Sequence, residues 1–184
     1  MPKLNKSEKI LNIAIAIIII LIGVSLRLLP HPPNFAPIAA IALFGGVYLS
    51  RKTAMALPLA AMLASDIFLG FYEVKLMAFV YGSFLLCVVL GFWIKRRKKW
   101  QTVIGGAFFS SLIFFVLTNF AVWVFTPWYA KTFEGLVQCY LMALPFFKNT
   151  LSGDLFYAFV FFGSYELITL WVRKRFAIKE AVHI

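Results

Sequence analysis

Six long apolar runs, each nearly free of charge, take up most of the chain and constrain it more than any motif does. They extend from about residue 10 to 29, 36 to 49, 53 to 71, 75 to 94, 102 to 125 and 151 to 172. About 20 consecutive apolar residues make a helix that crosses the hydrocarbon core of a bilayer. With no water there to satisfy backbone groups, helix is the state such a run must adopt. The predicted fold is therefore all-α and integral to the membrane, a bundle of six transmembrane helices in one domain over residues 1–184. Composition agrees: 62% of the 184 residues are hydrophobic and mean hydropathy is +0.90, against about 45–50% apolar content in soluble domains. The second run is too short to cross upright, which predicts a helix that is tilted, partly re-entrant or sheltered by its neighbours.

Charge orients this bundle. A net charge of +11 would suggest nucleic acid in a soluble chain, but here the basic residues sit in short blocks at the ends of apolar runs. The reading is topogenic charge and a lipid partner, with no nucleic acid. Lys3, Lys6 and Lys9 precede the first run, Arg51 and Lys52 follow the second, Lys95 to Lys99 follow the fourth, and Arg173, Lys174 and Arg175 follow the sixth. Six crossings put all four blocks on one side, which the positive-inside rule makes cytoplasmic. Both termini are then expected inside a bacterial inner membrane. The basic start and first apolar run look like a signal peptide, but the run is longer than an h-region and no small-x-small cleavage site follows, so a retained helix is expected.

The opposite face receives three connections. The longest contains KTFEGLVQCYLMALPFF, whose Phe133, Leu136, Val137, Tyr140, Leu141 and Leu144 fall on one side of a helix. This predicts an amphipathic helix over about 133–147 lying across the outer mouth, since a seventh crossing would place the C-terminal basic block outside. Small residues repeat every four positions at Ala56, Ala60 and Ala64 and at Ala36 and Ala40. Such faces let helices approach closely, within the bundle or against another membrane subunit.

Ionisable side chains inside a bilayer cost about 2.5–3.5 kcal/mol on insertion scales and mark function by default. Here the polar residues gather in the outer half: Arg27, His31, Asn34, Asp66, Tyr72, Asn119, Trp123, Asn149 and Asp154, with the aromatic Phe35 and Tyr157 nearby. Their asymmetry predicts a pocket open to the outside rather than a continuous pore. Asp66 and Arg27 lie at similar depth and are expected to pair; whether the pair is structural or touches ligand stays open. Asp154 also fits a simple helix start, with Ser152 as cap. Trp123 suits an interfacial anchor, and Tyr72 and Tyr157 could stack on a ligand ring. The stretch RLLPHPPNFAP, with four prolines around one of the two histidines, predicts a rigid non-helical turn forming one pocket wall.

The case for catalysis is thin. GxSxG, HExxH and P-loop patterns are missing, so no catalytic residue is assigned. A lone His31 without a nearby histidine assigns no metal, and no cofactor is indicated. Cys87 and Cys139 lack CxxC spacing.

Three stretches, RLLPHPPNFAPIAAIALFGG, SDIFLGFY and FFKNTLSGDLFY, resemble a family of small bacterial membrane proteins of unknown function described as transport proteins. The resemblance covers nearly the whole chain, and the first stretch is its most specific part. That family in turn resembles the S components, the substrate-binding subunits of energy-coupling factor vitamin transporters. The resemblance implies six helices, cytoplasmic termini and an outward-opening vitamin pocket. It also implies docking on a transmembrane coupling protein with ATPase subunits, through the Ala36/Ala40 or the Ala56/Ala60/Ala64 face. A relation to the solitary cobalamin-transporting S-component family would need a cobalt-binding cysteine, for which Cys87 is the candidate. The expected function is capture of a small, vitamin-like micronutrient at the outer side for uptake. The alternatives are an intramembrane enzyme pairing His31 with Asp66 or Asp154 as acid and base, and a structural subunit in which the outer polar cluster is interhelical glue.

Overall fold

The computed structural model describes residues 6–182; among the side chains within its helices, those of residues 6–13, 15, 16 and 172–182 are not described. Six α-helices follow one another: α1 Lys6–Leu28, α2 Ile38–Tyr48, α3 Arg51–Leu69, α4 Val74–Ile94, α5 Trp100–Phe125 and α6 Phe133–Val182, with a short 3-10 turn at Lys95–Arg97. Local chemistry sets their ends. Ser50 caps α3 by accepting from the Thr53 amide, and Glu73 caps α4 by accepting from the Leu76 amide at 2.9 Å. Gly70 ends α3 at φ +96°, a conformation that side chains resist, and its amide donates to the Asp66 carbonyl at 2.8 Å. α3 to α5 are long and apolar enough to cross a membrane, with α2 and the described Ile17–Leu28 part of α1 shorter.

The molecule is organised around α2. Every residue from Ile38 to Val47 is buried, and α2 packs against α1, α3, α4, α5 and α6. The short run is sheltered by its neighbours. Its closest approach is to α4. A Cβ on Gly46 would lie 2.4 Å from the Val88 carbonyl oxygen, and one on Gly91 would lie 2.5 Å from that of Leu43. Two backbones therefore touch where both helices carry glycine. Because α2 is buried all round, Ala40, 1% exposed, packs against helices of the same chain, and Ala36 lines a cavity. Of the Ala36/Ala40 face predicted for docking, Ala40 is thus packed inside the bundle and Ala36 is half-buried. Ala56 is exposed, and Ala60 and Ala64 are half-buried.

Basic ends gather on one side of the bundle. Tyr48, closing α2, donates to Glu166 of α6 at 2.6 Å, and Lys98 forms an ion pair with the same carboxylate while lying 4.8 Å above the Tyr48 ring. Arg51 sits 5.9 Å over the Phe92 ring. Lys3 and the side chains of Lys6, Lys9 and Arg173 to Arg175 lie outside the described residues.

The final segment differs from expectation. The amphipathic helix over 133–147 and the sixth run over 151–172 are one continuous helix, α6, and its first part flanks α5 instead of covering the mouth. Pro145 lies inside α6 without ending it, since a proline there removes one amide donor and crowds one turn. Thr150 donates back to the Phe146 carbonyl at 3.0 Å as the helix continues. The predicted apolar face is also rotated. Phe133, Val137, Leu141 and Leu144 are exposed, whereas Cys139 and Ala143 are buried. Cys139 Sγ donates to the Asn119 carbonyl and Tyr140 to that of Val116, the latter at 2.7 Å.

The glycine crossing sets a test. Gly46→Ala should cost about 1–3 kcal/mol by overpacking, seen as a lower midpoint of denaturant unfolding. Gly82→Ala, where a Cβ meets nothing within 4 Å, should leave the midpoint unchanged or slightly raised. Equal effects at the two positions would contradict the close approach.

Candidate functional site

At the end away from the Tyr48–Glu166–Lys98 cluster, a cavity of about 280 Å³ opens above the first residues of α2. Ile38 and Ala39 form its floor, and Met62, Val80 and Phe84 give apolar wall. Arg27 enters from the last turn of α1, His31 and Asn34 from the proline turn, and Thr150 and Asp154 from α6. The turn is built for this position. Its prolines exclude helix, Asn34 takes the left-handed conformation at φ 63°, and Phe35 donates its amide to the Pro32 carbonyl at 3.0 Å. Asn149 donates to the Pro33 carbonyl at 3.0 Å and ties the turn to α6.

Two carboxylates stand near the cavity in different states. Asp66, 1% exposed, accepts from Arg27 Nη1 at 2.7 Å and from the Tyr81 hydroxyl at 2.7 Å. Arg27 also donates to Ser65, whose hydroxyl in turn donates to the Ala61 and Met62 carbonyls. The expected Arg27–Asp66 pair is thus present, and it joins α1, α3 and α4. Asp154, 2% exposed, accepts from the Ser111 hydroxyl at 2.7 Å and lines the cavity itself.

Other candidates lie elsewhere. Phe35 is wedged against α6: a Cβ on Gly153 would come within 3.2 Å of its Cα, and its ring meets Phe156 and Tyr157 at 6.0 and 5.5 Å. Tyr157, 8% exposed, belongs to the core rather than the cavity wall. Trp123 closes the α5–α6 hairpin by donating to the Ala130 carbonyl at 2.9 Å. Asn119 donates to the Phe115 carbonyl and lines a second cavity of about 220 Å³ between α5 and α6, which shares Asn34, Phe114 and Thr150 with the first. Tyr72 lines a shallow depression with Tyr81; burial, helped by the Asp66 charge, pushes its hydroxyl up to about 12.

Acid–base pairing of His31 with either aspartate is not formed. His31 Nδ1 lies 2.6 Å from the Leu29 carbonyl. A carbonyl only accepts, so Nδ1 is the donor and a neutral ring keeps Nε2 as acceptor. Among the described residues no three of His, Cys, Asp and Glu converge as a metal would require. Cys87 is fully buried and donates weakly to the Ser110 carbonyl at 3.9 Å, away from the cavity lining.

Ser111, Phe84 and Phe114 escaped the reading of the sequence. The paired serines of FFSSLIFF, polar points within an apolar run, were the available signal for Ser111.

Architecture and site together define an all-helical bundle with one short buried helix and a polar cavity at one end. The chain belongs to a family of unknown function, DUF6580, whose model matches residues 6–178. No curated protein and no solved structure matches it.

The ion pair is open to a double-mutant cycle. Removing one partner leaves the other charge uncompensated, so Arg27→Met should cost about 3–5 kcal/mol. The double variant Arg27→Met/Asp66→Leu should recover much of that loss in the same unfolding assay. Strictly additive costs would show that the two side chains act independently.

Proposed function

We propose that this protein is a membrane-embedded substrate-binding protein that captures a small micronutrient at the outer face for uptake across a bacterial inner membrane. The observation that carries this reading is the cavity itself, which joins an apolar interior to converging polar groups, Arg27, His31, Asn34 and Asp154. That combination is the usual make-up of a small-ligand site.

A membrane setting is supported by the outer surface. Ile67, Phe68, Trp93, Phe159 and Leu167 are each more than 60% exposed, a display that suits lipid and not water. Arg51 and the block Lys95 to Lys99 lie at the end opposite the cavity, so the positive-inside rule turns the cavity outward. In this reading the helices form six crossings, counting sheltered α2 as the short one, and both termini are cytoplasmic. The cavity volume favours a ligand of roughly single-ring size over a corrin, and fully buried Cys87 is poorly placed to ligate cobalt. Cobalamin is therefore the less favoured substrate. Energy would come from a partner, a transmembrane coupling protein with ATPase subunits. Exposed Ala56 with Ala60 and Ala64 is the small-residue face left to receive it.

Two measurements test this. Gently extracted protein should carry a small molecule visible by native mass spectrometry, and Ala36→Trp, which fills the cavity from its wall, should abolish the adduct; an adduct that survives this substitution would sink the reading. Orientation is checked by thiol labelling, for which Cys87 and Cys139, 0% and 2% exposed, give a low background. A cysteine at Asn34 should react with an impermeant reagent added outside intact cells and one at Arg51 only after permeabilisation. The reverse pattern would invert the topology.

A further inference from the structure

Charge on the cavity wall is unbalanced. Arg27 brings its own counterion, since Asp66 accepts from its Nη1 at 2.7 Å. Asp154 brings none. It is 2% exposed, lines the cavity, and has as its described hydrogen bond only the neutral Ser111 hydroxyl, 2.7 Å from Oδ2. A buried carboxylate without a cation is costly, and one hydroxyl does not neutralise it. A second feature of the same cavity points the same way. Phe84 and Phe114 both line it, with their rings stacked at 5.3 Å between centroids, and the faces of aromatic rings attract cations.

We propose that the ligand is a small organic monocation of about single-ring size, an ammonium, amidinium or protonated ring nitrogen, with Asp154 as its counterion and the Phe84/Phe114 pair as its aromatic wall. The inference rests on the cavity being a ligand site and assigns the class of ligand it takes. Arg27 does not oppose the cation, because Asp66 cancels its charge, and its remaining donors are left for an acceptor on the same ligand.

Three probes of nearly equal shape separate the possibilities: benzylammonium, benzyl alcohol and benzoate, titrated calorimetrically at mildly alkaline pH into the full chain in lipid nanodiscs. Ala36→Trp serves as the blank, and heat that survives it is partition into lipid and counts as no binding. Benzylammonium should bind about tenfold or more tighter than benzyl alcohol, and benzoate should not bind. Asp154→Asn should erase the cation preference and leave benzyl alcohol unchanged, while Ser111→Ala, which keeps the carboxylate, should retain it. If Asp154→Asn does not fold, the ranking in the unaltered protein decides, with Phe114→Leu expected to narrow the preference. Benzyl alcohol or benzoate binding as tightly as benzylammonium, or a preference that persists in Asp154→Asn, overturns the cation assignment and leaves the cavity a binding site. Failure of all three probes to bind overturns the assignment and the ligand-site reading together.

Discussion

The contact on which the bundle depends is the backbone-to-backbone crossing of α2 and α4 at Gly46 and Gly91. It draws an 11-residue helix into the centre, where five other helices close over it. At 1.5 Å per residue α2 is about 16 Å long, roughly half the hydrocarbon thickness of a bilayer. A full-length helix there would fill the interior from end to end. The short one leaves the space above Ile38 to the proline turn and the cavity, so packing at one end and a ligand-sized void at the other have one cause.

Polar groups around that void serve two ends. Arg27, Ser65, Asp66 and Tyr81 form a hydrogen-bonded set that ties three helices together and is largely satisfied within itself. Asp154 with Ser111 joins α5 and α6 but leaves carboxylate capacity unspent. Burial alone does not separate these roles, because both aspartates are almost fully enclosed. Partner inventory separates them: one acid has a cation and the other has a hydroxyl.

Much of this was legible in the residues. The apolar runs located the helices because backbone hydrogen bonding leaves a long apolar segment little choice, and equal depth in neighbouring runs was enough to pair Arg27 with Asp66. Proline content identified the turn at 29–37 as non-helical. What stayed hidden depended on register between distant segments. Ser111 meets Asp154, and Asn149 meets Pro33, only once α6 is laid along α5 and the turn, and nothing local encodes that alignment. Ala40 carried a docking signal because small residues look alike whether they face a partner or a helix of the same chain. The join between the 133–147 helix and the sixth run was equally hidden, because contacts of Tyr140 and Phe147 with α5 hold α6 together on both sides of Pro145.

The two ends of the bundle are held by different kinds of contact. Below the cavity, Phe44, Tyr48, Phe162 and Tyr165 interlock ring on ring, with centroids 4.0 to 5.6 Å apart. There α2 and α6 are bolted into one piece. Above it, α6 has lost the hydrogen bond that Pro145 cannot donate, and the proline turn is moored by the Asn149 amide and the seat of Phe35 against Gly153. One end of the bundle is closed by interlocked rings, the other by hydrogen bonds and a close glycine seat that hold the backbone of the turn walling the cavity.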